Sequence, residues 1–93
     1  MLKNVASIAF QVGTCFGKNG SFVEAEWHFR RALQLRPSNA MYHANIGVLY
    51  QRWARYELAE YYYDKALSLE ENELVEINLK AVQEKLNRTS ALG

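Results

Sequence analysis

The sequence is poor in the residues that staple, kink or anchor a chain: one cysteine, one proline and five glycines stand among 93 residues. A lone Cys15 cannot close an internal disulfide, and it lacks the second thiol that a zinc finger or a redox motif needs. No stretch reaches the roughly 18 consecutive apolar residues of a membrane-spanning helix. The opening Met1-Leu2-Lys3-Asn4-Val5-Ala6-Ser7-Ile8-Ala9-Phe10 is too short and interrupted for the apolar core of a secretory signal, and it reads as helix. Direct membrane insertion by this segment is not expected, and any anchor of a longer parent would lie outside it. Charge of one sign is also missing. Eleven Lys and Arg nearly cancel ten Asp and Glu, leaving +1, without the basic excess of a nucleic-acid binder.

Arrangements that carry chemistry are equally scarce. His28, His43 and Cys15 fall in three different helical stretches with no paired ligand spacing, so no metal site is expected. Gly17 and Gly20 lack the order and the preceding strand of a phosphate loop. The acids Glu57, Glu60, Asp64, Glu70, Glu71, Glu73 and Glu76 are scattered over solvent faces without a nucleophile or an opposed partner. The expectation is no catalytic residue, no cofactor and no metal in this chain.

What is present is a core. Hydrophobic residues make up 49% and aromatics 13%, too apolar for a disordered chain. Sliding the sequence over itself by 34 residues superimposes Val12 on Ile46, Gly13 on Gly47, Phe16 on Tyr50, Phe22 on Tyr56, Ala25 on Ala59, Phe29 on Tyr63, Ala32 on Ala66 and Leu33 on Leu67. A fixed period means units that bury their apolar faces only by stacking on one another.

Within each unit apolar residues recur at helical spacing in two runs, 4–16 and 22–35, then 39–53 and 56–69, so each unit is a helical hairpin. Ser21, with Glu24 three residues on, predicts a capping box for the second helix. Leu35-Arg36-Pro37-Ser38 ends that helix, and Ser38 is placed to cap the next. A mid-helix glycine costs about 1 kcal/mol relative to alanine. Its recurrence at Gly13 and Gly47 therefore predicts a close helix approach opposite Ala25, Ala32, Ala59 and Ala66, flanked by Phe16, Phe29, Tyr50 and Tyr63. Arg30, Arg31 and Arg36 sit near a helix end, where cations favour the dipole. His28 reads as a partly buried packer, and Tyr61, Tyr62 and Tyr63 as core. From Glu73, Val75, Leu79, Val82 and Leu86 form one stripe of a last helix.

The pattern Ala9-x2-Val12-Gly13-x2-Phe16, Ala25-x3-Phe29, Pro37, then His43-x2-Ile46-Gly47-x2-Tyr50 and Ala59-x3-Tyr63, resembles the tetratricopeptide repeat. The resemblance departs at Ala9 and His43, which take the tryptophan place, and at Glu71, which takes the second proline place. It implies an all-α, tetratricopeptide-type α-α superhelix of two helical hairpins plus a C-terminal capping helix. Residues 1–93 form a single domain: repeat 1 over 6–39, repeat 2 over 40–73, the capping helix over 74–88 and a frayed tail over 89–93.

The family binds proteins or peptides in a concave groove lined by the first helix of each unit. Carried onto this chain, the resemblance implies a groove of Ser7, Phe10, Gln11, Thr14 and Lys18, then Met41, Ala44, Asn45, Val48, Gln51 and Arg52, with Asn78 and Leu79 added by the closing helix. A subclass of the family clamps the carboxylate of chaperone tails with lysine, asparagine and arginine. Only Asn45 matches that set, while Phe10 and Thr14 occupy the lysine and first asparagine places, so such clamping is not expected. The stretch Met41–Trp53, with Tyr42-His43-x-Asn45-x-x-Val48-Leu49-Tyr50-x-Arg52-Trp53, further resembles the C-terminal repeats of the transmembrane and tetratricopeptide-repeat proteins, endoplasmic-reticulum enzymes that transfer mannose to protein hydroxyls. Asn19-Gly20-Ser21 and Asn87-Arg88-Thr89 are glycosylation sequons, which permit a luminal location. The three readings are a cytosolic scaffold module, luminal repeats that position acceptor proteins, and a homo-oligomer formed through an uncovered first helix at Val5 and Phe10.

Overall fold

A computed structural model of the chain describes the backbone from residue 2 to 92 and the side chains of residues 5–87. Its helices are α1 (Leu2–Lys18), α2 (Phe22–Leu35), α3 (Ala40–Arg52), α4 (Tyr56–Leu69) and α5 (Glu73–Leu92). The fold is all-α. Helices α1 and α2 pack as one hairpin and α3 and α4 as the next; α2 touches α3, and α5 closes on α4. The stack measures 49 × 28 × 18 Å.

Within a unit, α1 and α3 both stop on a reversed turn. The Ser21 N–H reaches back to the Phe16 carbonyl at 2.9 Å and Gly20 N–H to Gly17 O at 3.1 Å; thirty-four residues on, Arg55 N–H meets Tyr50 O at 2.8 Å and Ala54 N–H meets Gln51 O at 3.1 Å. This paired pattern satisfies carbonyls that the helix end would otherwise orphan, and it requires a left-handed residue. Gly20 takes it with φ +82°, and Ala54 takes it with φ +59° despite its Cβ. The expected capping box does not form: Ser21 makes no side-chain cap. Its N–H is already committed to the turn, which holds φ at −85° and ψ at 74°, and Arg55, with no capping oxygen, adopts nearly the same angles. Backbone geometry starts α2 and α4.

Between units the cap also moves. Asn39, not Ser38, caps α3, its Oδ1 accepting from the Tyr42 N–H at 3.0 Å, because Arg36–Asn39 makes a further turn that delays the helix by one residue. Asn72 caps α5 in the same way, accepting from Val75 N–H at 3.1 Å. Helix α5 continues to Leu92, past the end at 88 and through most of the stretch expected to fray; side chains from 88 on lie outside the described residues.

Glycine makes room for a ring. A Cβ on Gly47 would stand 2.6 Å from two carbons of the Tyr63 ring, and one on Gly13 would stand 2.8 Å from Phe29. The close approach is therefore ring over glycine, with Ala25 and Ala59 buried completely alongside. The units join through aromatic pairs: Phe10 stacks on Tyr42 at 4.7 Å and Phe22 on Trp53 at 5.6 Å. The fully buried Tyr50 donates its hydroxyl to Glu26 Oε2 at 2.5 Å and accepts from Arg30 at 3.3 Å. Burial first, then the bond to Glu26, pushes the Tyr50 phenol up to about 12, and the bond to Tyr50 raises the Arg30 guanidinium further. Arg30 is thus a link between units rather than a dipole cap.

His43, in the tryptophan place, is buried. Its Nε2–H donates to the Pro37 carbonyl at 2.9 Å, which ties α3 to the link between units. His28 is half-buried and stacks on Phe16 at 5.5 Å, as expected of a packer. The tyrosine run divides: Tyr63 is buried, Tyr62 packs against the core, and Tyr61 is 58% exposed and meets Tyr62 edge-on. Three consecutive residues span most of a helical turn, so they cannot all face inward.

Candidate ligand groove

Two clefts open along α3, one on each side. The first lies between α3 and α5 and holds about 230 Å³. Met41, Ala44, Asn45 and Val48 form one wall and Leu74, Val75 and Asn78 the other, with Tyr63 and Ala66 of α4 behind them and Glu70 and Asn72 at the mouth. The second lies between α1 and α3, lined by Thr14, Gly17 and Lys18 on α1 and Asn45, Val48, Leu49 and Arg52 on α3, with Phe29 behind. Asn45 and Val48 border both clefts, so a ligand crossing α3 at that point touches each. Either volume is small against the roughly 300–1,000 Å³ of a small-molecule pocket. Single side chains fit.

The polar groups are largely turned to their own scaffold. Asn45 Nδ2 donates to the Met41 carbonyl at 2.8 Å, and the Thr14 hydroxyl donates to the Phe10 carbonyl at 3.0 Å. The Tyr63 hydroxyl donates to Gln51 Oε1 at 2.6 Å. Burial pushes that phenol up to about 12, while a hydrogen bond with Asn78 pulls it the other way. Large apolar side chains remain open to solvent at the rim, with Met41 55% and Leu74 65% exposed. Arg52 lays its guanidinium 5.8 Å over the Phe22 ring at the far end of the second cleft.

Among the described residues, no three of His, Cys, Asp and Glu lie together as a metal site, and no helix is long and apolar enough to cross a membrane. Cys15 is exposed on α1, His28 is on α2 and His43 on α3.

Residues 42–73 match the sequence profile of the tetratricopeptide repeat. The chain is 37% identical over 82 residues to a protein O-mannosyl-transferase of Caenorhabditis elegans, an alignment covering 87% of this chain and 12% of that protein. It is 34% identical over 62 residues to anaphase-promoting complex subunit 3 of Schizosaccharomyces pombe, covering 67% of this chain and 9% of that one. The chain therefore spans only a small part of either relative. Its fold matches the N-terminal domain of stress-induced protein-1 from C. elegans with a TM-score of 0.85 at 19% identity, over 97% of this chain and 77% of that domain. The chain belongs to the tetratricopeptide repeat family.

Set on the tetratricopeptide frame, the residues expected in the groove separate. Thr14, Lys18, Met41, Ala44, Asn45, Val48, Arg52 and Asn78 line the two clefts. Phe10 does not: its ring is drawn inward against Phe29 at 5.5 Å and Tyr42, and so it is not the uncovered residue expected on α1. Gln51 is engaged by Tyr63, and Leu79 packs against the core cluster. Ser7, half-buried, and Gln11, exposed, lie outside both clefts. Leu74 was missed by sequence reasoning. The signal was available in the repeat, because the shift of 33 that places Asn45 on Asn78 also places Met41 on Leu74 and Ala44 on Ile77.

Proposed function

We propose that the chain is a non-catalytic protein-interaction module of a longer protein, taking a partner peptide or protein along α3 between α1 and α5. The observation that carries this reading is the pair of side-chain-sized clefts meeting at Asn45 and Val48 beneath the exposed Met41 and Leu74. A peptide lying there buries apolar side chains and finds amides at Asn45 and Asn78, the mix that tetratricopeptide grooves use as anchors and orienting groups. The test is binding to an immobilised random-peptide array by the intact chain and by Asn45→Ala/Leu74→Asp, each checked for helicity by circular dichroism. Loss of captured peptides in a folded variant supports the reading; unchanged capture contradicts it.

A second reading is that the module is a luminal segment of an O-mannosyl-transferase, where it positions acceptor proteins for a catalytic part elsewhere. The 37% identity over most of this chain favours it, as do the exposed sequon asparagines Asn19 and Asn87. Endoglycosidase treatment of the native protein tests the location: a mobility shift of the fragment carrying Asn19 or Asn87 supports a lumen, and no shift with both sequons intact favours a cytosolic scaffold.

A further inference from the structure

We infer that the groove selects an extended peptide with an apolar side chain and, three residues away, an acidic one, the apolar side chain in the α3/α5 cleft and the acid in the α1/α3 cleft. This deepens the groove reading above and rests on it.

The two clefts differ in charge. The α1/α3 cleft is bordered by two cations, Lys18 and Arg52, and by no acid; the α3/α5 cleft is bordered by one acid, Glu70, and by no cation. Lys18 and Arg52 are the last residues of α1 and α3, so each sits over a helix C-terminus carrying about half a negative charge. Two such termini offset roughly half of the two formal positive charges, and that end of the groove stays positive. Arg52 is held at the rim by the Phe22 ring, which leaves the guanidinium's edge N–H groups free to pair with a carboxylate across the cleft.

The apolar requirement comes from the other side. Met41, Ala44, Val48, Leu74 and Val75 line a cleft of about 230 Å³ with room for a branched apolar side chain, and Glu70 at its mouth disfavours an acid there. Neighbouring helices stand about 8–10 Å apart, so the clefts flanking α3 are separated by a similar distance. A peptide in the extended polyproline II conformation has three residues per turn and advances about 3.1 Å per residue, so side chains three residues apart share one face about 9 Å from each other, which matches that distance. Asn45, at the crossing point, still has its amide oxygen to accept a peptide N–H, since its bond to Met41 uses only Nδ2.

The test uses a positional-scanning library of acetylated heptapeptides with leucine fixed at the centre, read by fluorescence anisotropy on the intact chain. The expected result is enrichment of aspartate or glutamate three positions from the leucine on one side, with at least tenfold weaker binding when that residue is lysine. Lys18→Glu/Arg52→Glu is expected to reverse the preference toward lysine, and 0.5 M salt to erase it, because both cations are exposed. Leucine-dependent binding abolished by Leu74→Asp but indifferent to the flanking charge would overturn the selectivity and leave the groove reading intact. Binding that Leu74→Asp leaves unchanged would overturn both.

Discussion

At Gly47 a single missing methyl decides whether Tyr63 can lie against α3. The two competing effects have known sizes: alanine gains about 1 kcal/mol in helix propensity, while a ring displaced from a packed core costs about 1–3 kcal/mol. With 2.6 Å to the ring, the clash dominates, and Gly47→Ala is expected to destabilise by up to about 2 kcal/mol. Gly17 is the control. There a Cβ meets Leu49 and Ala25 at 3.7 and 3.8 Å, ordinary contacts, so Gly17→Ala is expected to stabilise by a few tenths to about 1 kcal/mol. Urea midpoints separate the two. Tyr50 and Tyr63 supply a pH signature. Both phenols stand near 12 when folded against an ordinary value of 10, so their neutral forms stabilise the fold below about pH 10. That contribution is lost as pH rises through 12, and the alkaline fall in melting temperature should be shallower in Tyr50→Phe. The glycine positions were legible in the sequence because both occupy the same phase of the repeat. Their partner was not, since the alanines opposite offered an equally small surface, and the ring lies over the glycine only once the helices are packed.

For the helices, the start and stop signals were right in place and wrong in agent. Serine before a helix, followed by glutamate, is a fair capping signature, yet Ser21 stands in a turn whose backbone bonds hold it away from capping geometry. Asn39 and Asn72 do the capping, each accepting from the N–H three residues on. Ser21→Ala and Ser38→Ala are therefore expected to be nearly silent, while Asn39→Ala and Asn72→Ala each cost about 1 kcal/mol. Hydrogen exchange of the Tyr42 and Val75 amides checks the mechanism as well as the magnitude, because those are the protons that lose an acceptor. A short-range sequence pattern cannot report which of Ser38 and Asn39 turns inward, since the extra turn is closed by a backbone bond, Asn39 N–H to Arg36 O at 3.2 Å, that no side chain signals.

Over the whole molecule, the second unit presents the Tyr42 ring to the unit before it, and that face is covered. Tyr42 is 7% exposed against Phe10, whereas its counterpart in the first unit, Ile8, is 58% exposed. Tyr42→Ala is expected to cost about 3 kcal/mol and Ile8→Ala less than about 1 kcal/mol, although the two positions are equivalent in the repeat. Thermal melts of the two variants at matched concentration make the comparison. The hairpin architecture was legible from the period alone, and so were the α1 and α3 positions that border the clefts, Thr14, Lys18, Met41, Ala44, Asn45, Val48 and Arg52. Phe10 and Gln51 were not, because the stack on Tyr42 of the next unit draws Phe10 into the scaffold, and Gln51 is taken by a Tyr63 hydroxyl that Phe29, its counterpart in the first unit, lacks.

The proposed peptide lies on the α1, α3 and α5 face, and amide chemical-shift mapping of the labelled chain with its best library peptide examines that face most directly. The expected result is perturbation centred on Asn45, Val48, Leu74 and Asn78 and extending to Lys18 and Arg52. Shifts centred on Ile8 and Trp27, or on Tyr61, would place the ligand on another surface and contradict the groove.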